Sequence, residues 1–587
     1  MKLEAWHFSL PIIPLLILLH LWAVPFTKVE ESFNIQATHD FLAYGLSYNN
    51  AVAKIDAFYD HVRFPGAVPR TFIGALALAG ISNPFVQIFD LDLPAQQMLA
   101  RGVLGFLNAA ALSFYIVGVR RAYGKETALW LIGLQASQFH ITFYASRTLP
   151  NMFAFAMTTF ALRFTLPEPA PSLAPIKRSK LALYMMTIVT IIFRSEVALL
   201  LLGHCLQTLI RSSSSINQVV STIRNVLLPS VLTATVAGLA LTVSIDTFIW
   251  RSPRLLWPEA AAFLSNVFPS PGSQGASAWG TSSWHWYLSS ALPRLTSTPL
   301  LAILPIYIFH PTAIHRQVLA LLLPAFVYLG LYSLLPHKET RFLFPILPTV
   351  NTALALVATH ITQRTSRTTV YRFLAPILVF TTLLSLLASH LILLPLSALT
   401  YPGGHALGIV HAHAASAQPQ PELHVHLTNL ALQTGVTHFL EKPLRHSGQT
   451  RWVYDKSDNS SGKYTEKKFW NRFDYVVVED EETVPVWPDM RFQTVGQVMG
   501  LGRPRLVTGA RGGETDGVVM LLGRMYGENL LGRAAAGIYK VAKQLGIGVT
   551  RGRWLAWQHD PALVVLKRSH DVVEEVDTRG VQEAGMR

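Results

Sequence analysis

The sequence predicts a polytopic α-helical membrane protein of about 11 membrane segments, followed by a small mixed α/β lobe at the C-terminal end. Three observations carry that expectation. Only 14% of the residues are charged and 51% are hydrophobic, with a mean hydropathy of +0.34; a soluble domain has about a quarter charged residues. Lys and Arg fall in short clusters between apolar runs, the pattern of topology signals. Past residue 400 the long apolar runs stop and alternating strand patterns take over. The formal charge of +14 is thus spread along the loops, and nucleic acid is not an expected partner. The single cysteine, Cys205, lies in an apolar run, which excludes an intrachain disulfide and a zinc site built on cysteines.

The first apolar run, Leu10 to Val24, follows Lys2 as a signal peptide would. Only bulky LHLWAVPF comes after it, with no small-x-small cleavage site, so it is expected to remain as the first helix. Further segments are expected near 98–119, 127–145, 150–165, 181–192, 197–210, 225–247, 297–309, 317–335, 342–361 and 373–396. The two between 181 and 210 are short enough to be a broken pair. Residues 69–90 are apolar but interrupted by Gly, Asn and Pro, which suits an interfacial or re-entrant helix. The domain reading is therefore a multi-span domain over 1–400, with a long first loop at 25–97, and a lobe over 401–587.

Orientation follows from the basic loops. With a cytosolic start, Arg120, Arg121 and Lys125, then Lys177, Arg178 and Lys180, then Arg211 and Arg224, Arg316, and Arg364, Arg367 and Arg372 all fall on the cytosolic side. The opposite side receives the loops richest in His, Asp, Glu and Trp. Polar chemistry is gathered on one face.

Four stretches on that face are candidates for a site. TKVEESFNIQATHD places Glu30 and Glu31 at the mouth of the first helix, followed by Asn34. A carboxylate pair there is costly to desolvate and points to function, although any loop leaving a membrane carries polar residues. YDHVRFPGAVPRT groups Asp60, His61, Arg63 and Arg70 around Pro and Gly, a rigid turn that would position side chains. SRTLPN sets Arg147 beside a helix-starting Pro150, where it would either bind a ligand or snorkel to headgroups. HKETRFLFPILP brings His337, Lys338 and Arg341 together where a helix exits, a set suited to holding a phosphate at the membrane surface. Five tryptophans between 246 and 294 (Trp250, Trp257, Trp279, Trp284 and Trp286) fit an interfacial belt, with sugar stacking by one or two as the alternative.

In the lobe, HVHLTNL, RFDYVVVED and ALVVLKRS read as strands, YPGGHALG as a linker, and 516–548 as an interfacial amphipathic helix. His405, His411, His413, His424 and His426 have no carboxylate partner in the pattern, so no metal is expected. GLGRPRLVTGARGG lacks the ending of a phosphate loop, and Asn459-Ser460-Ser461 is a glycosylation sequon.

Taken together, TKVEESFNIQATHD, YDHVRFPGAVPRT, SRTLPN, WGTSSWHWYLSSALPR and HKETRFLFPILP resemble the eukaryotic dolichyl-phosphate-mannose-dependent mannosyltransferases of the GT-C class. The resemblance covers most of residues 10–400. Its EESFN and FPG-x-VPRT segments are most similar to the branch that adds the eighth mannose, α-1,6-linked, to the lipid-linked N-glycan precursor. It implies a GT-C glycosyltransferase fold in the endoplasmic reticulum membrane, with a lumenal active site and a lumenal lobe. The implied partners are dolichyl phosphate mannose, a dolichol-pyrophosphate-linked oligosaccharide and membrane lipid. By the same resemblance Glu30 is the first choice for a general base, with Glu31 as orienting partner or substitute. Relatives that add α-1,2-mannose usually show Asp-Glu at this pair, which leaves the acting carboxylate open. His337, Lys338 and Arg341, with Arg147 and Arg194, would hold the donor phosphate, and no cofactor or metal is implied. Asn34, Asp60, His61, Arg63, Arg70, Trp279 and Trp284 would position the acceptor. The competing readings are a GPI-anchor mannosyltransferase using the same donor and, from another class, a membrane transporter.

Overall fold

A computed structural model describes residues 6, 9–46, 49–168, 175–268, 275–442, 450–459, 462–508, 530–550 and 553–569. The chain forms two compact units: among the described residues the first holds those up to Pro25, Glu30–Ala398 and 530–539, and the second holds Phe26–Val29, 399–508 and those from Lys540 on.

Every apolar segment of the sequence is helical in the first unit. Among the described residues, five helices are long and apolar enough to cross a membrane: Leu93–Tyr123, Ile216–Ile249, His315–Tyr332, Thr340–Thr362 and Thr369–Ala398. The other segments are shorter helices, and the breaks have local causes. Gln138 is extended (ψ 104°) and divides Lys125–Ser137 from Phe139–Tyr144. The turn at Arg194–Glu196 divides Pro175–Ile192 from Val197–Arg211. Residues 69–90 become helix Ile73–Phe89, which buries Gly74, Ala75, Leu78, Ala79 and Ser82 at helical spacing. Its opposite flank exposes Ile81, Phe85, Ile88 and Phe89.

The centre of this unit is Leu347–Thr362, buried from Leu347 to Ile361 and packed against Lys125–Ser137, Leu300–Phe309, His315–Tyr332 and Thr369–Leu387. A helix apolar all round belongs inside a bundle. Its few polar side chains are paired. Asn351 and Gln138 exchange two amide hydrogen bonds of 2.8 Å, and Tyr115 Oη lies 3.0 Å from Thr352 Oγ1. Unpaired, such groups would cost about 1–3 kcal/mol each in a dry interior. Tight packing also needs a glycine: a Cβ on Gly203 would lie 2.7 Å from Pro324 Cα of the neighbouring helix.

The second unit is a five-stranded sheet of order β2-β1-β3-β5-β4. Its strands are β1 (Glu422–Leu427), β2 (Arg451–Asp455), β3 (Tyr475–Val478), β4 (Arg491–Thr508) and β5 (Arg553–Ser569). β1 runs parallel to β2 and β3, whereas β5 is antiparallel to β3 and β4. Period-two alternation makes two cores: Tyr475, Val477, Leu563 and Val565 face one, while Val476, Val478, Val564 and Leu566 face the other. The sequence reading is corrected at Pro402–Ser416, which is a helix and not a linker. Pro402 opens its first turn, and Ala406, Leu407 and Val410 pack on the sheet. The two glycines there serve close approach, since a Cβ on Gly403 would meet Ala431 O. β2 and β4 carry no strand signal that the reading used. The amphipathic helix is seen as Leu530–Val549, its expected beginning at 516–529 lying outside the described residues, as do Ser460 and Ser461 of the sequon.

Candidate active site

The two adjacent glutamates leave the first helix through a single 3₁₀ turn, Val29–Glu31, that leads into helix Ser32–Ala43. That turn sends them to different environments. Glu31 is 2% exposed and accepts from Arg147 Nη1 at 2.9 Å and from Thr148 N at 3.3 Å. Thr148 Oγ1 donates to the Glu31 carbonyl, and Asn34 Nδ2 donates to Thr148 O at 2.7 Å. The Arg147 guanidinium lies over the Phe143 ring at 4.2 Å. The SRTLPN loop is therefore stitched to the start of helix Ser32–Ala43. Arg147, expected beside a phosphate, is buried and paired with Glu31.

Glu30 stays open. Its side chain is 43% exposed and its Oε1 lies 3.8 Å from Arg341 Nη1. Arg341 is aimed by Glu339, whose Oε1 accepts from its Nη2 at 2.9 Å and whose Oε2 forms an ion pair with its Nε at 2.5 Å. His337 Nε2 approaches the same carboxylate at 3.0 Å. Lys338 turns inward: its Nζ donates to Leu335 O at 2.5 Å and Ser282 O at 3.2 Å, and burial lowers the pKa of its ammonium. Three cations that look alike in sequence thus divide into one presented guanidinium, one half-exposed imidazole and one ammonium tied to carbonyls.

A second charged layer adjoins this one. Arg194 Nε donates to Glu196 Oε1 at 2.7 Å, and Asn151 Nδ2 donates to the same oxygen at 3.2 Å. Glu259 Oε2 accepts from Ser195 N at 3.0 Å. Burial alone would lower the Arg194 pKa; Glu196 and Glu259 more than offset it and hold the guanidinium charged. Arg70 lies in the field of Arg194, Glu259, Arg341 and Glu196, and burial lowers its pKa. For Glu259, burial first and Glu196 beside it push the carboxyl up to about 7, against the pull of Arg194 and Arg70.

The remaining expected residues separate into supports and exposed groups. His61 is buried among Tyr59, Phe72 and Trp250, and its Nε2 donates to Ile249 O at 3.0 Å. The Asp60 amide donates to Asp40 Oδ2 at 2.8 Å. Arg63 lies at the surface, where its Nη2 is 3.5 Å from Ala57 O. Trp250 and Trp257 use their indole N–H groups on Arg70 O and Ile191 O, as structural anchors. Trp279 and Trp284 are 64% and 71% exposed, on the segment whose Gly280 O and Ser282 O meet His337 and Lys338. Sequence reasoning missed Glu196, Glu259, Asp246 and Arg101 as supports. Asp246 accepts from Phe72 N at 2.8 Å, and Arg101 donates to Val24 O, Pro25 O and Ser146 O. Arg101 had a signal, since an arginine inside an apolar run is expensive without partners.

The helical architecture is that of a GT-C membrane glycosyltransferase. It is similar to the crystal structure of ArnT from Cupriavidus metallidurans bound to undecaprenyl phosphate, with a TM-score of 0.52 at 13% identity, covering 84% of this chain and 97% of that one. Residues 11–401 match the Alg9-like mannosyltransferase family, and the chain belongs to that family. Among its relatives, a Dol-P-Man:Man(7)GlcNAc(2)-PP-Dol alpha-1,6-mannosyltransferase of Drosophila melanogaster is 36% identical over 75% of this chain. That match spans 58% of the Drosophila protein. Proteins of the same description from Arabidopsis thaliana and Saccharomyces cerevisiae are 30% and 26% identical, covering 75% and 78% of this chain and 82% and 81% of theirs.

The Glu259 environment sets a pH test. Its folded pKa of about 7 exceeds the ordinary 4.5, so the folded state holds this proton more tightly. The contribution is full below about pH 4.5 and is lost as pH rises to about 7, a change on the order of 3 kcal/mol. Thermal unfolding in detergent from pH 5 to 8 should show Glu259→Gln gaining on the native protein as pH rises. Parallel curves would contradict this assignment.

Proposed function

We propose that the protein transfers mannose from dolichyl phosphate β-mannose to the 6-hydroxyl of a mannose in the dolichol-pyrophosphate-linked N-glycan precursor, forming an α-1,6 linkage. The observation that carries this reading is the open Glu30 carboxylate 3.8 Å from a guanidinium aimed by Glu339, with Glu31 withdrawn into a buried ion pair. The names of the relatives in animal, plant and fungus support the substrates. Relatives named for the GPI pathway match less of the chain, as with the human GPI alpha-1,2-mannosyltransferase 3 at 24% identity over 39% of it.

Making an α-linkage from a β-donor inverts the anomeric carbon, which calls for one base and no enzyme nucleophile. Glu30 takes the proton of the acceptor hydroxyl as its oxygen attacks C1. The C1–O bond breaks on the opposite face, and its electron pair leaves with dolichyl phosphate. Arg341 holds that phosphate, with His337 beside it and Arg194 behind. A 3.8 Å contact between half-exposed groups is worth about 0–1 kcal/mol, so an arriving phosphate readily takes the guanidinium from Glu30 and frees the carboxylate. Guanidinium charge fills the role a divalent cation would otherwise play, and turnover should survive EDTA. Arg147 acts on Glu31 and not on the donor.

Purified protein given dolichyl phosphate mannose and the lipid-linked heptamannosyl acceptor should make a product whose new linkage is cut by an α-1,6-mannosidase. Glu30→Gln should lower the rate roughly a hundredfold or more with donor affinity nearly kept, because the amide cannot accept a proton. Glu31→Gln should cost stability as well as rate. Full turnover by Glu30→Gln would remove the base assignment.

The reading also places the site in the lumen of the endoplasmic reticulum, on the strength of the basic-loop alternation. A C-terminal tag should resist protease in intact microsomes and be cut after detergent. Digestion without detergent would reverse the orientation.

A further inference from the structure

The second unit has a cavity of about 250 Å³ that takes no part in the chemistry above. It lies across one end of the sheet, and register explains what lines it. β1 pairs Leu423 with Trp452 of β2 and Val425 with Tyr475 of β3, and Tyr475 pairs with Lys567 of β5. Side chains alternate faces, so Leu423, Trp452, Tyr475 and Lys567 come up on the same face, the one covered by helix Pro402–Ser416. That helix ends at Ser416, and among the described residues this end of the face is left open as the cavity.

The polar groups at its rim are arranged unevenly. Arg568 Nη2 donates to Asp474 Oδ1 at 2.9 Å, Asp474 Oδ2 accepts from His424 N at 2.9 Å and Arg568 Nη1 donates to Asn471 O at 2.5 Å, so this pair is engaged mainly within the fold. Lys442 and Lys567 also line the cavity, and neither ammonium has a hydrogen bond or ion pair among the described residues. The Trp452 ring is held in place by Tyr454 stacked beside it and by the His411 edge at 4.9 Å. His411 is itself fixed by a 2.8 Å hydrogen bond to Tyr454 Oη. A clamped indole next to donors and a carboxylate matches a ring with one apolar face and a girdle of hydroxyls. It suits a compact anion less well, because Asp474 stands at the same rim.

We infer that this cavity is a carbohydrate-binding site of the C-terminal lobe, taking one hexose unit of the oligosaccharide acceptor by stacking on Trp452 and hydrogen bonding to Lys442 and Lys567, beside the Asp474–Arg568 pair. The identity of the sugar rests on the proposed transfer reaction, whereas the existence of the site does not. The size supports one ring, not a chain of them. Such a site serves acceptor capture: it acts on KM for a branched glycan and is indifferent to a short acceptor that reaches only the reacting carbons.

The test uses the full chain in detergent with three variants, Trp452→Ala, Lys567→Ala and Lys442→Ala. The two lysine variants alter side chains that make no hydrogen bond or ion pair among the described residues, so the test stands if the tryptophan variant fails to fold. KM for the lipid-linked heptamannosyl acceptor should rise roughly tenfold in Trp452→Ala and several-fold in the lysine variants. KM for an α-mannobiose acceptor and KM for the donor should stay put. Binding of free, lipid-free heptamannosyl glycan, followed by saturation-transfer NMR, should weaken in parallel. If native protein binds that glycan through Trp452 yet transfers no mannose, the site stands and the proposed function falls. Unchanged KM for the long acceptor in folded variants overturns the site. So does an equal rise for long and short acceptors, or displacement of bound probe by inorganic pyrophosphate with no displacement by glycan.

Discussion

The buried ion pair between Glu31 and Arg147 is the constraint on which the candidate site depends. Two charges at 2–3% side-chain exposure are expensive to remove from water, and the cost is met only where geometry is good and the remaining polar atoms are engaged. Here the Thr148 amide donates to the Glu31 carboxylate, while the Thr148 hydroxyl and the Asn34 amide tie the two segments together through backbone carbonyls. Breaking such a pair by deleting one partner costs about 3–5 kcal/mol, so the turn at Val29–Glu31 is held firmly. With Glu31 turned inward, the preceding residue has to face out. The exposure of Glu30 is a consequence of its neighbour's burial.

The same logic organises the other loops on that face. Each charged group is aimed by a neighbour: Arg341 by Glu339, Arg194 by Glu196, which Asn151 also holds, and the Ser195 turn by Glu259. His61 and Asp246 stiffen the first loop from behind, fixing Ile249 and Phe72 by backbone hydrogen bonds. Positioning of this kind matters for the proposed transfer, since a neutral acceptor hydroxyl carries no charge to guide it. The central helix Leu347–Thr362 supplies the rigid base, following directly on the 3₁₀ stretch Thr340–Ile346 that carries Arg341.

Much of this was legible in the sequence, and the reasons differ by residue. Long apolar runs dictate helices almost irrespective of tertiary context, so the segments fell where expected. The motif-bearing loops were legible because charges at a membrane border are costly without purpose. What the sequence did not distinguish was Glu30 from Glu31, or Lys338 from Arg341. Adjacent residues of one charge have identical local signals, and only the turn decides which one is buried. Pro402–Ser416 read as a linker because PGG is a turn signal; Gly403 is there for close packing against Ala431 and Gly404 against Phe26. Glu259 and Asp246 were hidden because their roles are set by backbone amides far away in sequence.

The most direct measurement is a double-mutant cycle on the buried pair, with kcat and the donor KM read for Arg147→Met, Glu31→Gln and the double variant. The account predicts that each single change lowers kcat strongly with little effect on donor KM, and that the double variant recovers part of the loss, since an apolar replacement of both partners leaves no stranded charge. If Arg147→Met keeps kcat and raises the donor KM, the guanidinium binds phosphate and the positioning role of the pair is wrong.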